Sequence, residues 1–255
     1  MILAVDVGNT NIVLGCLEDK KVLFTIRLQS DRNKTGDEYA VQLYSILRVH
    51  DIDPKKIDGS IISSVMPRLI APLKMALKKV TNTDALVVGP GIKTGIPIII
   101  DNPAQLGSDL VVGAVAAMSR YQPPLVLFDL GTATTMSVID RSGRFLGGAI
   151  FPGVRISQDA LSSRTSQLPY ISLDESPKAV IGTNTIDSMQ SGAIFGTAAM
   201  LDGMITRAEE ELGDTATVVV TGGLAKSIAP YCKREVIVEE DLLLLGLALI
   251  YEKNQ

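Results

Sequence analysis

A carboxylate at the end of a short apolar run, followed within two residues by glycine and then by hydroxyl or amide side chains, can hold phosphate and a cation. This chain of 255 residues carries that arrangement twice. Asp6-Val7-Gly8-Asn9-Thr10 follows the apolar run Ile2 to Val5, and Asp129-Leu130-Gly131-Thr132-Ala133-Thr134-Thr135 follows Leu125 to Phe128. A tight turn built on Gly8 or Gly131 lets backbone N–H groups converge with no side chain in the way. Asn9 and Thr10 in one turn, and Thr132, Thr134 and Thr135 in the other, add groups that can bond phosphate oxygens. Asp6 can hold Mg²⁺ directly or through water, because that ion keeps several waters and takes only one or two carboxylates. A single copy is ordinary hairpin chemistry. Two copies in matching positions tip the reading toward a ligand site.

Two further places invite chemistry. A Gly- and Pro-rich stretch from Gly89 to Gly107 delivers Ser108 and Asp109 to the start of a helical segment, where spacing alone also fits Asp109 as a helix N-cap. Thr221-Gly222-Gly223 closes an apolar run and suits close approach of a flat base or ribose, although Gly-Gly is also a common loop. The segment Gly89-Pro90-Gly91-Ile92-Lys93-Thr94-Gly95 has the wrong glycine spacing for a dinucleotide fingerprint, and no G-x-x-x-x-G-K-[ST] loop occurs. His50 is the only histidine, so a zinc site of several histidines is excluded; it is read as a surface helix residue.

The elements that must position these residues follow from periodicity. Ile2 to Val5 and Ile12 to Leu17 form a hairpin across a Gly-Asn turn. Thr35-Gly36-Asp37-Glu38 has capping-box spacing and predicts a helix from Gly36 to Val49. A strand at Ser60 to Val65, a helix with Leu69, Leu73, Ala76 and Leu77 on one face, and a strand at Ala85 to Val88 complete an α/β lobe. The second Asp-x-Gly turn restarts the pattern with a strand at Met136 to Ile139 beyond it. A helix at Ser188 to Leu212, a strand at Thr217 to Val220 and a last helix at Asp241 to Tyr251 follow. The repeat predicts a duplicated lobe, 1–115 and 116–255, with the boundary between Gly107 and Pro124.

Composition narrows the partners. With 24 basic and 28 acidic residues and a net charge of -4, no basic stripe is present to neutralise a nucleic-acid backbone. A triphosphate is still acceptable, since backbone N–H groups and a bound cation can hold it. No apolar run is long enough to span a bilayer. Cys16 and Cys232 lie in no metal-ligand spacing, and Met1-Ile2-Leu3-Ala4-Val5-Asp6 lacks the basic start and apolar length of a signal peptide. A cytoplasmic protein is expected.

The order Asp6 to Asn11, then Gly107-Ser108-Asp109, then Asp129 to Thr135, then Thr221-Gly222-Gly223 closely resembles the type III pantothenate kinases. Asn102-Pro103, Gly147 to Gly153, Leu168-Pro169, Gly182-Thr183-Asn184-Thr185 and Gln190-Ser191-Gly192 extend the resemblance over essentially the whole chain. It implies an α/β, duplicated two-lobed actin-like ATPase (ribonuclease H-like) fold whose lobes close on the nucleotide, a homodimer, and phosphorylation of pantothenate by ATP. Mg²⁺ and a monovalent cation, K⁺ or NH₄⁺, are the implied cofactors. By the same resemblance, nucleotide contacts would come from Asp6, Val7, Gly8, Asn9, Thr10, Asn11, Ile12 and Val13, with Gly131, Thr132, Thr134, Gly222 and Gly223. Asp109 would be the general base, Asp129 the K⁺ ligand and Asp6 the Mg²⁺ ligand. Substrate contacts would be Gly107, Ser108, Asp109, Leu110, Thr185 and Ile100.

The family often has Arg directly after the catalytic Asp and an aromatic just before Asn-Pro, where this sequence has Leu110 and, near Asn102-Pro103, Ile100. Losing an Arg removes a donor that could meet a substrate carboxylate. Two other readings share the fold: an ATP-binding regulatory protein, and a kinase of another hydroxyl acceptor such as a sugar. Apolar surface on the helices around Met200 and Leu245 is read as room for a dimer contact.

Overall fold

The computed structural model describes residues 1–173 and 177–255. The described chain divides into two compact units. The first comprises Met1–Ile96, Asp101–Ser119 and Asp241–Gln255, and the second Pro97–Ile100 and Arg120–Glu240.

The first unit opens with β1 (Ile2–Val7), β2 (Asn11–Glu18) and β3 (Lys21–Gln29), followed by α1 (Gly36–Val49), β4 (Gly59–Ser64), α2 (Pro67–Thr81), β5 (Ala85–Val87) and α3 (Ser108–Arg120). Its sheet has the order β3-β2-β1-β4-β5. β1 pairs antiparallel with β2, Asp6 opposite Val13, and parallel with β4, Asp6 opposite Ser63. The capping box starts α1 as expected: Thr35 accepts from the Glu38 N–H while the Glu38 carboxylate accepts from the Thr35 N–H at 2.7 Å. Leu69, Leu73, Ala76 and Leu77 form the buried stripe of α2.

The second unit contains β6 (Leu125–Leu130), β7 (Ala133–Ile139), β8 (Phe145–Pro152), α4 (Val154–Arg164), α5 (Thr185–Leu212), β9 (Thr217–Thr221), α6 (Ala225–Ile228) and β10 (Ile237–Val238). Its sheet reads β8-β7-β6-β9-β10, the same order of corresponding strands as the first. β6 pairs antiparallel with β7, Asp129 opposite Thr135, and parallel with β9, Asp129 opposite Thr221. Each sheet therefore places the carboxylate of its Asp-x-Gly turn at the end of its central strand. The duplication read from two short motifs extends to strand order and direction.

The last helix, α7 (Leu242–Lys253), departs from the expected division at residue 115, since it belongs to the first unit, as does α3 through Ser119. Leu242, Leu244, Leu245, Leu247, Ala248 and Ile250 are all buried, so this helix has little polar face to expose and must be covered on more than one side. Glycines make the approach possible: a Cβ on Gly15 would meet Leu244, one on Gly59 would meet Tyr251, and one on Gly246 would lie 2.1 Å from the Val112 carbonyl oxygen. Leu245 is thus spent on the chain's own core, and the apolar surface expected there for a dimer is not available.

Candidate functional site

Asp6 sits at the buried end of β1, 8% exposed. The turn beyond it is clamped by a residue that sequence reasoning passed over, Ser30. Its hydroxyl donates to the Gly8 carbonyl at 2.7 Å and its backbone N–H donates to the Thr10 carbonyl at 2.9 Å. A trans peptide points its N–H opposite to its C=O, so the N–H groups of Asn9 and Asn11 are turned away from Ser30 on an exposed turn. N–H groups at the end of a strand are of the kind that can serve phosphate oxygens. Val7 and Ile12 are buried at 1% each, so they hold the turn in place and offer a ligand only their backbone. Val13 is half-buried on β2 opposite Asp6.

The second turn is built in the same way with a different clamp. A Cβ on Gly153 would lie 2.6 Å from the Gly131 carbonyl oxygen and 2.1 Å from that of Thr132, so both carbonyls press against the Gly153 backbone. The N–H groups of Thr132 and Ala133 consequently face away from Gly153. Thr132 is half-buried and Thr135 likewise, whereas Thr134 is 1% exposed and packs in the core, which leaves it no open hydroxyl for a nucleotide.

Gly222 has φ 95°, and a Cβ there would lie 2.5 Å from Asp129 Oδ1 and 2.6 Å from the Leu130 backbone nitrogen. The close approach expected at Thr221-Gly222-Gly223 is therefore present at Gly222, but the group approached is the chain's own Asp129–Leu130 backbone and carboxylate. Gly131 flanks the same carboxylate, its Cβ position 3.5 Å from Oδ1. Asp129 is held between two glycines, Gly131 and Gly222.

At the start of α3, Ser108 ties the helix to β4. Its hydroxyl shares a hydrogen bond with the Ser63 hydroxyl at 3.0 Å and accepts from the Ser64 N–H at 3.1 Å. Ser63 is the β4 partner of Asp6, so this seat ties the start of α3 to the strand beside the one that carries Asp6. With its hydroxyl so engaged, Ser108 positions its neighbour. Asp109 is half-buried and follows Ser108 within the helix, which replaces the N-cap alternative with a residue of the first turn. A Cβ on Gly107 would lie 2.4 Å from Asp109 Oδ1, so the carboxylate folds back over Gly107 and a side chain there would displace it. Burial pushes the Asp109 carboxyl up from its ordinary value, opposed by the N–H groups of Leu110 and of Asp109 itself. That combination suits a carboxylate that takes a proton.

Among the described residues no three His, Cys, Asp or Glu side chains cluster as a metal cage. A divalent ion at Asp6 would draw its other ligands from phosphate oxygens and water, which fits the habits of Mg²⁺.

Residues 2–207 match the sequence model of the type III pantothenate kinases. The chain belongs to that family. Among its relatives, a type III pantothenate kinase of Exiguobacterium sp. is 44% identical over 100% of both chains, and one of Syntrophotalea carbinolica is 41% identical over 100% of both. The crystal structure of a ROK hexokinase from Thermus thermophilus superposes with a TM-score of 0.54 at 13% identity, covering 100% of this chain and 99% of the other. The fold is the duplicated, two-lobed actin-like ATPase fold anticipated from the sequence.

The remaining expected substrate positions fall in two places. Leu110 follows Asp109 on α3, half-buried. In the second unit, Pro97–Ile100 runs beside β8, with the Ile99 N–H donating to the Phe145 carbonyl at 2.8 Å, and Ile100 packs 3.9 Å from a Cβ position on Gly147. Thr185 is the exposed first residue of α5, whose N-cap Asn184 accepts from the Asp187 N–H at 2.9 Å. It opens on a cavity of about 670 Å³ that also includes Gln158 and Leu161 of α4. No helix among the described residues is long and apolar enough to cross a membrane.

Proposed function

We propose that this chain transfers the γ-phosphate of ATP to the primary hydroxyl of pantothenate, the first step of coenzyme A biosynthesis. The observation that carries the reading is the Asp109 carboxylate, seated by Ser108 and laid over Gly107 in a chain of this family. Asp109 orients the acceptor hydroxyl and takes its proton late, as a loose phosphoryl-transfer transition state requires. The Asn9 and Asn11 N–H groups, and those of Thr132 and Ala133, are phosphate donors. Asp6 holds Mg²⁺ through water, and bound Mg²⁺ supplies neutralisation of the charge that builds on the phosphates. Leu110 stands directly after the base, where the family often has a charged group, and Ile100 stands near Asn102-Pro103, where the family often has an aromatic.

Asp129, flanked by Gly131 and Gly222, is the proposed monovalent-cation ligand, K⁺ or NH₄⁺. The protein is proposed to be a homodimer through α5, which exposes Gly192, Gly196 and Ala199 along one face where a second helix could approach closely. Sedimentation of the wild type and Gly196→Leu tests this, a dimer for the first and a shift to monomer for the second being expected. A cytoplasmic site accords with two unpaired cysteines, whose thiols burial pushes up to about 11.

The test is direct detection of phosphorylated pantothenate from ATP and Mg²⁺, with K⁺ compared to Na⁺. Product in K⁺ supports the reading. ATP binding without product from pantothenate would move the chain to the regulatory reading, and product from a hexose alone would move it to a sugar kinase.

A further inference from the structure

We propose that Arg27 contacts the γ-phosphate of ATP and offsets its charge during transfer, a role that rests on the nucleotide reading of the Asp6 to Thr10 turn given above. In the first sheet, Arg27 on β3 pairs with Val13 on β2, Val13 pairs with Asp6 on β1, and Asp6 pairs with Ser63 on β4. Residues paired across neighbouring strands put their side chains on the same face of the sheet. What packs there identifies the face. Val13 lies against the cluster that holds Val112 and Val115 of α3 with Leu244 and Leu247 of α7, and the Ser63 hydroxyl meets that of Ser108 at the start of α3. Arg27 and Asp6 therefore share the face covered by the helix that carries Asp109, two strands and about 10 Å apart.

Contacts on either side fix this stretch of β3. Two residues before Arg27, on the same face, the Thr25 hydroxyl donates to Asp241 Oδ1 at 2.9 Å, just ahead of α7. Three residues after it, Ser30 clamps the carbonyls of Gly8 and Thr10. Arg27 stands between these ties, exposed, and no ion pair or hydrogen bond engages its guanidinium among the described residues. It is the one cation in a row that also holds Asp6 and, through Ser63 and Ser108, the start of the helix bearing Asp109. A triphosphate arriving beside those carboxylates gathers more negative charge than one Mg²⁺ offsets. Guanidinium is always charged, its planar fork matches phosphate oxygens, and its three-methylene stem is long enough to bring it across Val13. It moves no proton; it holds charge where the transferring group spreads it over its oxygens.

The experiment measures ATP and ADP affinity by calorimetry in Mg²⁺, and phosphopantothenate formation, for wild type, Arg27→Gln and Arg27→Lys. Arg27→Gln is expected to bind ATP about ten-fold more weakly, to bind ADP within about two-fold of wild type, and to lower kcat about 10- to 100-fold. Its melting temperature should be that of the wild type, and Arg27→Lys should recover part of the loss. β3 is the edge of its sheet, where a charged side chain can serve only to discourage pairing with another chain. Equal losses for ATP and ADP, or no loss, would overturn the γ-phosphate contact and leave Arg27 with that role. A wild type that binds both nucleotides but forms no phosphopantothenate would overturn the pantothenate reading, while the ratio of ATP to ADP affinity still decides the role of Arg27. A wild type that binds neither nucleotide would overturn the site and the contact together.

Discussion

The Asp109 carboxylate lies across Gly107 so closely that a Cβ at position 107 would stand 2.4 Å from Oδ1. The carboxylate, held by the N–H groups of Leu110 and of Asp109 itself, occupies the space a side chain at 107 would take. Gly107→Ala is expected to swing the carboxylate aside and lower kcat about 10- to 100-fold, since displacements of about 1 Å cost rates of that order. The KM for ATP and the melting temperature should stay close to wild type. Steady-state kinetics beside a thermal melt check this, and an unchanged kcat would show that the carboxylate is placed by something other than Gly107.

Asp109 also predicts a pH-dependent stability. Burial raises its carboxyl above the ordinary value, so the folded state holds the proton more tightly than the unfolded chain does. Native stability is then favoured at pH below the unfolded value and lost as pH rises through the raised folded value. Asp109→Asn, which cannot ionise, should therefore melt higher than wild type at neutral pH, with the gain fading as pH falls toward the ordinary aspartate value. Melting curves across that range test the sign; a variant less stable at neutral pH would contradict it.

Ser30 holds the first turn by two bonds, to the carbonyls of Gly8 and Thr10. Ser30→Ala removes the hydroxyl bond and is expected to cost about 1 kcal/mol of stability. Because the Gly8 peptide is then free to rotate its partner N–H, the KM for ATP should rise several-fold with kcat less affected. Equal ATP affinity in the variant and wild type would remove the Asn9 N–H from the phosphate site.

Gly222 combines a φ of 95° with atoms of Asp129 and Leu130 that a side chain would strike. Gly222→Ala is expected to destabilise the protein by about 2 kcal/mol or more, through backbone strain and the collision with Leu130. It should also blunt the difference in rate between K⁺ and Na⁺, because the displaced group is the Asp129 carboxylate. Melting and a salt comparison on the same preparation read both effects, and a preserved K⁺ preference would argue against Asp129 as the cation ligand.

Much of this architecture was legible because chemistry and fold used the same signals. Asp6-Val7-Gly8 and Asp129-Leu130-Gly131 revealed the duplication, and Thr35 with Glu38 announced a helix that begins where the capping box requires. β3 escaped notice because the turn before it places Asp19 and Lys20 at φ 49° and 64° without glycine or asparagine to advertise it. β8 was hidden by Gly147 and Gly148, and Gly148 is needed there because a Cβ would lie 1.7 Å from the Met136 carbonyl oxygen. The destination of α7 could not be read at all, since an apolar helix says that it is buried but not against what. Ser30 and Ser108 are ordinary residue types whose meaning is set by atoms far away in sequence.

Asp109 is assigned the removal of the proton from the pantothenate hydroxyl, the step on which catalysis depends. The most direct measurement is the rate of phosphopantothenate formation by Asp109→Asn and wild type at saturating ATP, Mg²⁺ and K⁺, with ATP binding measured in both. The structure predicts ATP affinity within about two-fold and a rate lower by about 10²- to 10⁴-fold in the variant. A variant that binds ATP and forms product at the wild-type rate would contradict the central claim.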